Sequence, residues 1–566
     1  MEKRWAQVEE GAKEISEALA LELNIDQCLA QILVQRGVTN FEDSRYFFRP
    51  TLTQLHDPFL MKDMEQAITR IRAALQNKEK ILVYGDYDVD GTTAVALTYG
   101  FFNQLTSEID YYIPDRHKEG YGISAAGIDF AATHGFTLII ALDCGIRAVD
   151  KIAYANTLGV DFIICDHHLP GETLPEAIAI LDPKRADCEY PFKELSGCGI
   201  GFKLAQAYCQ ANNLPDEMYE QYLDLCMVSI AADIVPIVDE NRVMAHFGLK
   251  KLNENPCCGL KALMQISGKT ETYSITDVVF LLAPRINAAG RMGDAKDAVK
   301  VLMSDEVLLA DEQSLSINLQ NTERKSFDQN ITVEALAIIE ASDVLINRKT
   351  TVVYQPHWNK GVIGIVASRL TETYYRPTIV LTESNGNYTG SARSVAGYDL
   401  YEALLSCSGL LEQFGGHKYA AGLTIKPENL IRFSESFESV VSATISEDLL
   451  IPEIKIDCEI ELKQIDAKFY RILLQMAPFG PQNMAPVFIS KGVNLIGNPQ
   501  IVGAKHLKLS IKQQNSAIFE SIAFGLGEFE SLLKPNKPFS ICYTIEENVW
   551  KDKKRLQLNI KGIKID

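Results

Sequence analysis

The sequence contains no C-x-x-C pair. Its 12 cysteines are scattered singly, apart from the adjacent Cys257 and Cys258, which argues against a structural thiolate zinc site and a disulfide framework. They are expected to be reduced core residues. No unbroken apolar run is long enough to span a bilayer. The opening residues, MEKRWAQVEEGAKEI, lack the apolar segment and small-residue cleavage site of a secretory signal, so a cytoplasmic location is expected. Positive charge is also scarce: 55 Lys and Arg stand against 74 Asp and Glu, a net charge of −19. Taken alone, that balance speaks against a surface coated in positive potential and against nucleic-acid binding. The average hides an asymmetry, because residues 491–566 hold 12 basic against 7 acidic side chains, a local +5 that leaves −24 for the remainder. A tail of that sign is suited to a polyanion. Internal repeats and low-complexity segments are absent, and at 566 residues the chain exceeds a single core and should form about three or four domains.

What is present is a concentration of acid in one place. In ILVYGDYDVDGTTA, residues 81–94, a buried-looking apolar run ends in Asp86, Asp88 and Asp90. Carboxylates so close together cannot all stay ionised in a dry site without a counter-charge. The run opens like an EF-hand loop, but its twelfth position is Leu97 where a bidentate glutamate is required, and the preceding residues read as a buried strand rather than a helix. Calcium in an EF-hand is therefore rejected, leaving either a surface Asp-rich turn or another cation site.

From residue 81 to about 182, short apolar runs alternate with segments of helical length. The runs are 81–84, 109–113, 137–142, 161–165 and 177–181. This alternation predicts a parallel sheet covered on both faces, with ligands outside the carboxyl ends of the strands. The polar residues fall at those ends: Asp86 and Asp88 after the first run, Asp143 after the third, and Asp166, His167 and His168 after the fourth. Asp233 closes a further apolar helical run just before a proline-containing stop. A helix cap or turn explains one such acid; it explains four clusters on one rim poorly.

Beyond the sheet, an Arg- and Gly-containing loop (283–295) leads into about 40 residues of helical character, read as a connector. Residues 350–445 then read as a second, smaller α/β domain. The final ~115 residues alternate cleanly at HLKLSIK, FSICYTI and LQLNI, the period of a small all-β barrel of about five strands. Residues 1–45 read as mostly helical. The domain boundaries expected are 1–45, 46–304, 305–345, 346–446 and 452–566.

An oxygen-plus-imidazole set without thiolate favours Mn²⁺ or Mg²⁺, although it does not by itself exclude iron, cobalt or catalytic zinc. Several carboxylates exceed what one ion requires. Two ions bridged by a carboxylate would serve phosphoester or phosphoanhydride hydrolysis.

The motifs DYDVDG, LDCG, DHH and ADIVP, in this order, resemble the DHH phosphoesterases, and GGHKYAAG resembles the hallmark of their accessory DHHA1 domain. With IPDRHKEGYG, PRINAAGRM, WNKGVIGIVASRL, GSARS and the C-terminal barrel, the chain is similar over nearly its whole length to the bacterial single-stranded-DNA-specific exonucleases of that family. The resemblance implies a parallel-sheet DHH domain, a long connecting helix, a smaller DHHA1 domain and a C-terminal OB-like barrel. It implies metal ligation by Asp86, Asp88, Asp143, His167 and Asp233, with Asp143 bridging two ions, and a role for His168 in orienting the scissile phosphate or assisting proton transfer. Asp90 and Asp166 are expected to fix a loop or an imidazole tautomer. Shorter members commonly carry a histidine where this chain has Leu82, so one ion is expected to be held less fully.

Arg116, Arg285, Arg291, Ser391 and Arg393 are candidate phosphate contacts, since the guanidinium fork suits phosphate. The resemblance implies that such residues form a 5′-phosphate pocket between the two α/β domains. Gly415 and Gly416 offer exposed amides beside His417, a further substrate contact, although a helix-start histidine satisfied by backbone is the plain alternative. In the barrel, Trp550 and Tyr543 can either stack on bases or pack in the core. The expected function is a metal-dependent exonuclease that degrades single-stranded DNA from the 5′ end to nucleoside 5′-monophosphates in DNA repair and recombination. Alternatives are a DHH phosphoesterase of short oligonucleotides or nucleotide signals, which needs no strand-holding barrel, and an inactive replication scaffold, which would lack ligands. A helicase and a single-strand-binding protein are partners implied by the resemblance only; a monomer is expected.

Overall fold

A computed structural model describes residues 3–116, 118–535, 537–550 and 553–565. The first sheet contains β1 (Lys80–Gly85), β2 (Ile109–Tyr112), β3 (Phe136–Leu142), β4 (Asp161–Cys165) and β5 (Ala179–Leu181), all parallel, in the order β2-β1-β3-β4-β5. Helices cover both faces, so the strands are apolar on both sides: Leu138, Ile139, Ile140, Ala141 and Leu142 are all fully buried, two sides of one strand feeding two separate cores. Each large aliphatic side chain among them contributes about 1.5–3 kcal/mol by leaving water. Leu82 belongs to this packing, fully buried on the face it shares with Tyr84 and Ile139.

The chain divides into two compact units, one formed by 7–318 with 455–566 and the other by 319–454 with 1–6. It passes from one to the other within the helix Val307–Glu340, where the sequence predicts a helical connector. The smaller unit holds a five-stranded mixed sheet of β6 (Thr351–Tyr354), β7 (Thr378–Ser384), β8 (Asn387–Arg393), β9 (Gln413–His417) and β10 (Ala420–Ile425), ordered β9-β10-β8-β7-β6. Only β6 and β7 run parallel.

In the larger unit, β11 (Phe488–Val502), β12 (His506–Lys512), β13 (Phe519–Ala523), β14 (Phe539–Trp550) and β15 (Lys553–Ile565) form a barrel in the order β11-β12-β13-β15-β14, closed by pairing of β14 with β11. Its core is shared with the N-terminal helices: Leu29, Ile32 and Leu33 pack with Phe488, Leu507 and Tyr543. The helices Lys13–Leu23 and Gln27–Gln35, in a stretch of which the sequence says only that it is mostly helical, are therefore built into the barrel core. Tyr543 is fully buried and its hydroxyl lies 2.8 Å from that of Ser490. It is a core residue rather than a stacking platform; the Trp550 side chain lies outside the described residues. No helix among the described residues is long and apolar enough to cross a membrane.

Candidate metal centre

In the order β2-β1-β3-β4-β5 the chain reverses direction across the sheet between β1 and β3, the switch point beside which open α/β sheets bind ligands. Asp86 and Asp88 follow β1, and Asp143 follows β3. Asp88 caps the helix Val89–Asn103, accepting from the Gly91 amide at 3.0 Å, and so one carboxylate oxygen is fixed while the group stays at the rim. Asp143 is in the left-handed region, φ 59°, with its amide bonded to the Cys165 carbonyl at 2.9 Å. Aspartate tolerates that conformation better than most residues, and its use at a rim is typical of functional positions. A side chain at Gly197 would come within 2.6 Å of the Asp143 Cβ, so only glycine lets the helix Gly197–Asn212 start this close.

His167 and His168 follow β4, and Asp233 ends the helix Leu223–Ala232. The Nε2 of His167 is 3.1 Å from Asp143 Oδ1, 3.6 Å from Asp233 Oδ2 and 3.7 Å from Asp90 Oδ2. Potential ligand atoms of Asp86, Asp88 and Asp143 lie within 4.8 Å of one another, as do those of Asp143, His167 and His168 and those of Asp90, His167 and Asp233. Asp143 thus belongs to two adjacent groups. That sharing is what a bridging carboxylate between two ions requires.

The electrostatics call for a cation. Burial, and then the charge of Asp88, raise Asp86 well above the usual carboxylate range; burial followed by Asp90, Asp88, Asp233 and Asp86 does the same to Asp143. Asp233 is pushed up to about 8 by burial and by Asp90 and Asp88. Burial lowers His167, favouring the neutral imidazole that ligates metals. Both oxygens of Asp86, Oδ1 of Asp143 and Nδ1 of His167 are buried and make no hydrogen bond to the described residues. An acid cluster with orphaned oxygens and a neutral imidazole fits one or two hard divalent cations.

Asp90 and Asp166 are engaged differently. Asp90 accepts from the Gly197 and Cys198 amides, each at 2.7 Å, and from the Ser229 hydroxyl at 2.6 Å. Asp166 accepts from the Ile146 and His167 amides at 3.0 and 2.8 Å and from His168 Nδ1 at 2.7 Å. Although burial opposes it, these bonds hold Asp166 down to about 2 and carry His168 up to about 9. In the metal-free protein the Asp166 contact thus favours the protonated ring of His168, whose side chain is 44% exposed.

The arginines are placed unequally. Arg116 lies over the Tyr87 ring, 4.9 Å from its centroid, and its charge reaches Asp86; Arg291 acts electrostatically on the same Tyr87. Arg285 stands apart: it is buried and bonds the Leu281 carbonyl and Asn318 Oδ1, tying two helices together. In the smaller unit Ser391 and Arg393 are neighbours on β8, with Arg393 Nη1 donating to Ser391 Oγ at 2.9 Å. A Cβ on Gly364, in the first turn of the helix Ile363–Tyr374, would stand 3.0 Å from both side chains. A helix N-terminus, a hydroxyl and a guanidinium therefore converge there, the donor types an anion needs. Gly415, Gly416 and His417 lie on the edge strand β9 and are exposed. His417 ends a hairpin strand and accepts the Tyr419 amide on Nδ1 at 3.3 Å; it does not start a helix.

Sequence reading did not single out Ser229, three residues before the ADIVP motif, whose hydroxyl lies 2.6 Å from Asp90, or Tyr121, inside the IPDRHKEGYG motif, whose hydroxyl lies 3.2 Å from His168 Nε2.

Residues 80–230 match the DHH family N-terminal domain, 347–443 the DHHA1 domain and 456–562 the RecJ OB domain. The chain is 37% identical, over 99% of its length and 70% of the relative's, to the single-stranded-DNA-specific exonuclease RecJ of Bacillus subtilis. RecJ of Thermus thermophilus in complex with Mn²⁺ superimposes with a TM-score of 0.85 at 24% identity, covering 100% of this chain and 80% of that one. An exonuclease RecJ bound to manganese gives 0.61 at 29% identity over 70% and 98%. The chain belongs to the RecJ family of single-stranded-DNA-specific exonucleases.

Proposed function

We propose that this metal-dependent single-stranded-DNA exonuclease works from the 5′ end, uses two divalent cations and releases nucleoside 5′-monophosphates. The observation that carries the reading is the position of Asp143, common to two adjacent donor groups at the sheet's switch point. Asp86, Asp88, Asp143, His167 and Asp233 would hold the ions, and the manganese in a RecJ structure of 29% identity supports Mn²⁺, with Mg²⁺ as the other hard cation that suits this donor set. When bound, the pair supplies neutralisation of the phosphoryl oxygens and activation of a water for in-line attack.

The chain's own residues supply the rest. Asp90 braces the helix start at Gly197 against the carboxylates. Asp166 holds the His168 ring through Nδ1, so that it can meet a non-bridging phosphoryl oxygen. Ser391 and Arg393 take the terminal 5′ phosphate, which carries more charge than an internal diester and so marks the end of the strand. The exposed amides of Gly415 and Gly416 and the ring of His417 hold the strand behind it. The basic-rich barrel retains the single strand, which fits a role in repair and recombination. A helicase that opens duplexes and a single-strand-binding protein are the partners this substrate calls for, and a monomer in the cytoplasm is the form proposed.

The test uses strands labelled at either end, single- or double-stranded, incubated with Mn²⁺. Labelled mononucleotide should appear at once from 5′-labelled single strands and late from 3′-labelled ones. Early release from the 3′ label would overturn the polarity.

A further inference from the structure

We infer that Tyr121 is a positioning residue that holds the His168 imidazole in its reactive orientation. The inference rests on the assignment of His168 to the scissile phosphate. His168 is gripped at both ring nitrogens: Nδ1 is 2.7 Å from Asp166 Oδ1, and Nε2 is 3.2 Å from the Tyr121 hydroxyl. The same hydroxyl lies 3.4 Å from the Asp143 carbonyl oxygen. The phenol donates to that carbonyl and bridges it to the imidazole Nε2. The ring meets its surroundings edge-on, at 6.0 Å from His168 and 6.2 Å from Tyr87.

The loop is built to hold the phenol there. Gly120 and Gly122, on either side of Tyr121, have φ of +88° and +78°, conformations that L side chains seldom adopt. The Gly122 carbonyl accepts from the buried Tyr84 hydroxyl at 3.0 Å, and that hydroxyl accepts from the Ser124 amide at 3.1 Å. Tyr121 is nonetheless 57% exposed, so packing does not account for its placement. A tyrosine fixed by its backbone, open to solvent and hydrogen-bonded to one reactive ring has the features of a device for orientation. An arriving phosphoryl oxygen takes the place of the phenol at Nε2, and the phenol keeps the ring from turning until then.

Tyr121→Phe keeps the ring contacts and removes only the hydroxyl. Expected is a roughly tenfold loss in kcat with KM within about twofold, the effect of one lost hydrogen bond. In a His168→Gln background the same change should cost less than about twofold, because residues acting through one another are not additive. In metal-free protein with ¹⁵N-labelled histidine, the His168 Nε2 resonance should move in Tyr121→Phe. If His168→Gln itself leaves turnover intact, the phosphate role of His168 falls and this inference with it. If His168→Gln is impaired but Tyr121→Phe costs the same in both backgrounds, affects only KM, or leaves the resonance in place, the inference alone is wrong.

Discussion

Asp90 and Ser229, 139 residues apart in the chain, share a buried hydrogen bond of 2.6 Å. The same carboxylate takes the first two amides of the helix Gly197–Asn212, so one side chain joins three helices directly behind His167. Asp90→Asn would set an amide donor against donors already pointing at it. A buried unsatisfied group costs about 1–3 kcal/mol, and stability to urea should fall by that amount, with weaker Mn²⁺ binding as the helix start moves away from Asp143. Unchanged stability would remove Asp90 from this bracing role.

The raised carboxyls make cation binding pH-dependent in a defined direction. Asp233 goes from the ordinary 3.8 up to about 8 on folding, so the protonated form is favoured in the native state. Its contribution to metal-free stability is complete below about pH 4 and is lost as pH rises through about 8. A cation must displace those protons. The rise in Tm on adding Mn²⁺ should therefore be larger at pH 8.5 than at pH 6, and a smaller rise at the higher pH would contradict the carboxyl assignment.

Arg393→Ala tests end recognition. Loss of a charged hydrogen bond to the terminal phosphate should lower kcat/KM on 5′-phosphorylated strands by about 1.5–3 kcal/mol in transition-state terms. Strands ending in a 5′ hydroxyl should lose far less. Equal losses on the two substrates would show that Arg393 does not read the phosphate.

The first sheet was legible because parallel strands covered on both faces are continuous apolar runs: runs 81–84 and 137–142 became Lys80–Gly85 and Phe136–Leu142. The run 177–181 shortened to Ala179–Leu181, where Ile178 still bonds Phe162 but the ladder has not begun. The acids at the strand ends were legible for the same reason, since topology dictates which ends converge. Other features depend on contacts that spacing does not encode. The union of the helices Lys13–Leu23 and Gln27–Gln35 with the barrel joins segments hundreds of residues apart, and Arg36 just beyond them bonds Asn483. Alternation placed Tyr543 on a strand but not on its inward face. Arg285 carries the same charge as Arg116, and only packing turns it into a helix tie.

The most direct test is turnover of Asp143→Ala. Asp143 is shared by two donor groups and rimmed by carboxylates and His167, while its side chain adds little apolar packing. The expected result is a loss on the order of 10³-fold or more in hydrolysis of single-stranded DNA with Mn²⁺, with urea stability and single-strand binding close to wild type. An Asp143→Ala protein that keeps a tenth or more of wild-type turnover would contradict catalysis by this cluster.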